Sequence, residues 1–144
     1  MIYLDTSAFL KLYIREAESE RVATCVEGQD EPLPVWDLLE AELTNAMRLK
    51  VFWGELTAEK ADGQIELFAA RKRRGLYFTP EIDRSALMED FRELSAHTPR
   101  FGCRTMDIVH VACARHLAVE TFITFDDRQR KLARTAGLRL VPEL

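Results

Sequence analysis

Thr121-Phe122-Ile123-Thr124-Phe125 runs without a break into Asp126-Asp127. Five β-branched and aromatic residues suit a strand. The two acids are helix-capping types, and they predict a helix that runs to about Ala136 and stops at Gly137. The N-terminus has the same grammar. Met1 to Leu4 is an apolar run too short for a helix and rich enough for a buried strand. Asp5-Thr6-Ser7 then supplies caps for a helix over Ala8-Phe9-Leu10-Lys11-Leu12-Tyr13. A buried strand that ends in an acid and turns into a helix is the repeating unit of an α/β fold.

The rest of the chain alternates in the same way. Glu18 to Glu27 reads as a helix, and Pro32-Leu33-Pro34-Val35 as an extended edge strand. Asp37 opens a strong helix, with Glu40 as the second half of a capping box and an apolar stripe of Leu39, Leu43, Ala46 and Met47. A helix from Thr57 turns Ala61, Ile65, Phe68 and Ala69 inward and ends in the basic turn Arg71-Lys72-Arg73-Arg74 before Gly75. Leu76 to Thr79 reads as a strand and Asp83 to Ala96 as a helix. Thr105 caps the most apolar helix, Met106 to Leu117, and Leu138 to Val141 forms a last strand. Strands separated by helices predict a parallel sheet sandwiched between helices, a three-layer α/β/α arrangement. With 144 residues and no linker or repeat, one domain over residues 1–144 is expected.

The totals exclude several classes. No apolar run approaches the roughly 18 residues of a membrane span, so no membrane partner is expected. The N-terminus lacks the basic region of a signal peptide. Cys25, Cys103 and Cys113 are odd in number and widely spaced, which favours reduced thiols in a cytoplasmic protein over disulfides or a zinc site. A net charge of −4 argues against nucleic-acid binding by bulk basicity. Any polyanion must be met by local basic clusters or by metal ions.

Four acids stand out by position. Ligands of an open parallel sheet bind beyond the carboxyl ends of its strands. Asp5 and Asp126 each end a strand, so parallel strands put both on one edge. Taken singly, each is a helix cap; occurring together after two buried strands, they suggest more. Asp107 lies in the first turn of its helix, where the dipole favours an acid, but Val111 and Ala114 at i+4 and i+7 turn its face inward. Burying an unpaired carboxylate costs several kcal/mol, more than the dipole returns, so a cation or a donor network must compensate. On the helix from Asp37, a step of about 100° per residue sets Glu42 inside the apolar arc, between Ala46 and Leu49. Two carboxylates about 4 Å apart repel by roughly 4 kcal/mol at an effective dielectric of about 20. Convergence of four therefore calls for a divalent cation. All-oxygen ligands suit Mg²⁺ or Mn²⁺ rather than zinc. Such a site can acidify a bound water and hold a phosphate in line for attack.

At these acids the chain resembles the PIN-domain family, and within it the toxin ribonucleases of toxin–antitoxin pairs commonly called VapC. Tyr3-Leu4-Asp5-Thr6-Ser7 is similar to the family's opening strand and first acid, and Glu40-Ala41-Glu42-Leu43-Thr44-Asn45-Ala46 to the helix bearing the second. Thr105-Met106-Asp107-Ile108-Val109-His110 resembles the third motif, and Phe122-Ile123-Thr124-Phe125-Asp126-Asp127-Arg128 the fourth. Pro34-Val35-Trp36-Asp37 departs from the Ser/Thr-rich entry expected before the second motif. The resemblance spans the chain. It implies an endoribonuclease dependent on Mg²⁺, or Mn²⁺, that hydrolyses RNA phosphodiester bonds as the toxin of a type II pair. It also implies a cognate antitoxin and a homodimer. Asp5, Glu42, Asp107 and Asp126 would hold the metal, with Thr6 and Thr124 orienting acids and Asp127 open as a co-ligand.

Other residues keep plainer readings. The basic run at Arg71 to Arg74 is expected to be a solvated helix end, and His110 to pack or hydrogen-bond beside Asp107. Phe52 and Trp53, with Phe9 and Tyr13, are expected in the core, with a protein-binding surface as the alternative. The competing functions are a catalytically inactive PIN-fold binding module and an aspartyl phosphotransfer enzyme using Asp5. Ser7 stands where the latter wants a second acid.

Overall fold

The structure is a computed structural model that describes residues 1–143; Leu144, the last residue of the expected domain, lies outside them. In chain order the elements are β1 (Ile2–Leu4), α1 (Thr6–Leu10), α2 (Ser19–Val26), β2 (Leu33–Pro34), α3 (Asp37–Phe52), α4 (Ala58–Arg73) and β3 (Tyr77–Phe78). They continue with α5 (Arg84–Ser95), α6 (Thr98–Phe101), α7 (Thr105–His116), β4 (Thr121–Ile123), α8 (Asp127–Thr135) and β5 (Arg139–Leu140). Two compact units contain them: Met1–Asp5 with Pro80–Leu144, and Thr6–Thr79.

The first unit holds a parallel sheet in the order β1-β4-β5, with Leu4 opposite Ile123 and Phe122 opposite Leu140. Tyr3, Leu4, Phe122 and Ile123 are buried, and the Tyr3 and Phe122 rings stack at 5.7 Å. Continuous apolarity on both strand faces is what a sheet covered on both sides requires. Helix α7 brings Ile108, Val111, Ala112, Cys113 and Ala114 into this core. Arg115 at its far end grips Glu93 of α5 through two contacts of 3.0 Å and Asp90 at 3.2 Å. His110 is buried and hydrogen-bonds, as expected, with the Tyr3 hydroxyl a partner at 2.9 Å.

The second unit pairs β2 with β3, also in parallel. Leu33 N–H donates to the Leu76 carbonyl just before β3 and Val35 N–H to the Phe78 carbonyl, while Pro34, which has no N–H to offer, sits between them. Its core is aromatic: Phe9 and Tyr13 pack with Phe68 and Tyr77, and the Tyr13 and Tyr77 hydroxyls share a hydrogen bond. Burial pushes the Tyr13 phenol well above its ordinary range.

Several expectations shift in detail. Helix α1 ends at Leu10 because Lys11, Leu12 and Tyr13 close tighter i→i+3 bonds. Strand β4 ends at Ile123 rather than Phe125, since Thr124 leaves the ladder for side-chain partners. No capping box forms at Asp37: Trp36 takes the cap position without a side-chain bond to the helix's first N–H groups, and Glu40 pairs with Lys72 instead. Thr105 is the first residue of α7 and Arg104 holds its cap position. Phe52 and Trp53 are not core, being 83% and 59% exposed. The helical step places Phe52 about 180° round α3 from buried Leu43. The basic run at the end of α4 is consumed largely within its own unit, through Arg71 over the Tyr13 ring, Lys72 to Glu40 and Arg73 to Glu66. Helix α6, started by Pro99 and ended by Gly102 at φ 70°, has no counterpart in the sequence reading.

Candidate active site

The unit built on β1, β4, α7 and α8 contains a continuous chain of polar contacts. Asp5 leaves β1 still paired, its N–H donating to the Ile123 carbonyl at 3.1 Å. Its side chain is only 6% exposed. The Thr124 hydroxyl, wholly buried, donates to Asp5 Oδ2 at 3.0 Å and accepts the Asp126 N–H at 3.2 Å. One threonine thus links the acids that end two adjacent strands. A buried hydroxyl with both its donor and acceptor roles filled holds a fixed rotamer.

Asp126 caps α8, its Oδ1 accepting the N–H groups of Arg128 at 2.8 Å and Gln129 at 2.9 Å. Asp127 is the first helical residue and is exposed, whereas Asp126 is half-buried. Asp107 sits in the first turn of α7, half-buried, and its Oδ2 accepts the Arg104 N–H at 2.9 Å. The dipole reading of that acid is therefore correct for one of its oxygens. Among the described residues, the second oxygen of Asp107 and that of Asp126 accept no hydrogen bond. Both carboxylates act on a common neighbour: burial first, then the fields of Asp107 and Asp126, push the Cys103 thiol up from its ordinary value.

Two residues of α8 complete this chain, and the sequence reading missed both. Gln129 is wholly buried and its Nε2 donates to the Asp107 carbonyl at 3.1 Å. Arg130, also buried, donates to the Thr124 carbonyl at 2.8 Å and to the Pro142 carbonyl at 2.8 Å. A signal for Gln129 existed in the spacing. With Leu132, Ala133 and Ala136 it stands at i, i+3, i+4 and i+7, on the inward face.

Glu42, on α3, belongs to the other unit. It is half-buried, and the Thr6 hydroxyl donates to its Oε2 at 3.0 Å. Thr6 follows Asp5 directly in the chain. Both threonines expected to orient acids therefore do so, Thr6 on Glu42 and Thr124 on Asp5.

As metal donors these side chains are all hard oxygens, with the histidines and cysteines elsewhere in role. Among the described residues no group of three or more His, Cys, Asp or Glu side chains stands ready as a cage for a metal ion. Carboxylate oxygens are the donors that Mg²⁺ takes, commonly one or two of them beside several retained waters. The donor set fits a hydrated hard divalent cation.

Comparison with known proteins identifies the arrangement. The PIN domain model matches residues 2–135. The chain is 28% identical to Ribonuclease VapC46 of Mycobacterium tuberculosis over 142 residues, 97% of this chain and 95% of that one. It superposes on FitAcB from Neisseria gonorrhoeae with a TM-score of 0.65 at 18% identity, covering 97% and 96% of the two chains. It also superposes on Mycobacterium tuberculosis VapC20, described as a Sarcin-Ricin loop cleaving toxin, with a TM-score of 0.67 at 14% identity over 91% and 94%. These structural likenesses show the expected α/β fold, with parallel strands flanked by helices. The chain belongs to the PIN domain family.

Proposed function

We propose that this chain is a metal-dependent endoribonuclease that hydrolyses RNA phosphodiester bonds, acting as one domain over residues 1–144 and as the toxin of a type II toxin–antitoxin pair. The observation that carries the reading is the linked placement of Asp5, Asp126 and Asp107 through Thr124 and Gln129. The ribonuclease names of its relatives support it.

Asp5, Asp107 and Asp126, with Glu42 as the fourth ligand, hold Mg²⁺ or Mn²⁺ in this proposal. When bound, the ion neutralises the acids, polarises the scissile phosphate and acidifies water. The protein's own work is to hold the carboxylates in fixed positions in a semi-buried setting. Thr124 does so for Asp5 and the α8 N-terminus for Asp126. Asp126 is the ligand of the adjacent pair, because its helix-cap geometry fixes it while Asp127 points to solvent exposure. Exposed Arg104 and Arg128 flank the N-termini of α7 and α8 and suit the phosphate backbone. An antitoxin partner and a homodimer are part of the same proposal, as is a cytoplasmic location, where thiols such as Cys103 and Cys113 stay reduced. No helix among the described residues is long and apolar enough to cross a membrane.

The test is cleavage of structured RNAs by the partner-free chain with Mg²⁺ or Mn²⁺, alongside Asp107→Asn. Asparagine retains an acceptor for the Arg104 N–H, so the fold should persist. The proposal expects cleavage that chelation abolishes and that falls at least about 100-fold in the variant. Equal cleavage by both proteins would refute the acidic site. Metal binding without cleavage of any RNA would favour a binding module, and phosphorylation of Asp5 a phosphotransfer enzyme.

A further inference from the structure

Helix α8 carries a polar side chain where an apolar one would pack. Gln129 is wholly enclosed, and its neighbours on the same face are the buried Leu132 and Ala133. Its Oε1 is buried and has no hydrogen-bond partner among the described residues. A native core seldom leaves such an atom unpaired, and Met or Leu would fill the space without that cost. What the glutamine does supply is a link. Its Nε2 donates to the backbone carbonyl of Asp107 while its backbone N–H donates to Oδ1 of Asp126. The amide cannot be reversed, since that would set two oxygens against each other at the Asp107 carbonyl. One residue therefore reaches the first turn of α7 and the cap of α8 at once.

We propose that Gln129 is a positioning residue that fixes the separation of Asp107 and Asp126 for their shared hold on a divalent cation, an inference that rests on the nuclease reading above. Neither Asp107 nor Asp126 is otherwise tied to the other's helix by a described side-chain hydrogen bond. Loss of the Gln129 amide leaves each acid with its own local cap and removes the tie between them.

Gln129→Met conserves volume, removes the amide and keeps the backbone N–H to Asp126. In the full-length chain without RNA, Mn²⁺ binding is followed by the loss of the free-ion EPR signal, and folding by thermal melting. Wild type is expected to bind Mn²⁺ and the variant to bind it at least about 10-fold more weakly, with a melting temperature equal or higher. RNA cleavage by the variant should recover as Mn²⁺ is raised, giving a higher metal requirement at nearly unchanged kcat. A lower melting temperature with wild-type Mn²⁺ affinity would make Gln129 a packing residue and overturn the inference alone. Wild type that neither binds Mn²⁺ nor cleaves RNA would overturn the nuclease reading with it. If the variant does not fold, the Gln129 side-chain amide of wild type is read by NMR during Mg²⁺ titration. A shift in its Nε2 signals is expected, and an unmoved signal would sink the proposal.

Discussion

The two compact units treat buried polarity in opposite ways. The six buried polar or charged side chains among the described residues, Asp5, His110, Thr121, Thr124, Gln129 and Arg130, all fall in the unit of Met1–Asp5 and Pro80–Leu144. The unit of Thr6–Thr79 closes instead on Phe9, Tyr13, Phe68 and Tyr77, with the tyrosine hydroxyls bonded to each other. Apolar burial contributes stability in proportion to area. Polar burial returns less, about 0.5–1.5 kcal/mol net per hydrogen bond, and becomes a cost where a partner is missing. The first unit therefore carries a network whose return includes something besides stability. That something, in this account, is the placement of acids.

The comparison yields predictions of different kinds for the two units. The largest effect belongs to the aromatic unit: Phe68→Ala should cost about 3–5 kcal/mol in urea melts, because three rings lose a common neighbour and the gap cannot collapse. Mn²⁺ affinity of the molecules that remain folded should not change. Thr124→Val comes next. It keeps the shape and strips both hydrogen bonds from the acid network, which should cost about 1–3 kcal/mol. Unlike Phe68→Ala, it should also weaken Mn²⁺ binding about 10-fold by titration. A Thr124→Val protein with intact metal affinity would erase the distinction between the units.

The smallest effect concerns pH. Burial opposes ionisation of Glu16, but hydrogen bonds and attraction from Lys50 and Lys11 outweigh it and hold the carboxyl below its ordinary value. A depressed native pKa means stability that is present above the unfolded value of about 4.3 and lost as pH falls through the native one. Wild type should therefore lose more stability than Glu16→Gln between neutral pH and about pH 4. The difference should stay within about 1 kcal/mol, since the pair is partly solvated. Urea midpoints of both proteins at the two pH values measure it.

Much of the acid network was legible because its signals are local. Strand, acid and capped helix follow one another within a few residues at Asp5 and at Asp126, and Asp107 sits on an inward helical face. The apolar arc of α3 likewise predicts the half-buried Glu42. What stayed hidden depends on tertiary partners. Gln129 and Arg130 lie in a run of charged residues whose composition reads as surface; helical spacing could have flagged Gln129, but the carbonyls that receive the two side chains, those of Asp107, Thr124 and Pro142, are set by the tertiary fold. Glu40 looked like half of a capping box until Lys72, distant in sequence, claimed it. Phe52 and Trp53 looked like core by type, yet the helical phase turns them out.

The most direct test of the central claim is anomalous diffraction from crystals of the full chain soaked in Mn²⁺ at a concentration that supports cleavage. The account predicts an anomalous peak within ligand distance, directly or through water, of Asp5, Asp107 and Asp126, with Glu42 as fourth ligand. Ordered Mn²⁺ elsewhere on the molecule, with these carboxylates left unvisited, would contradict it.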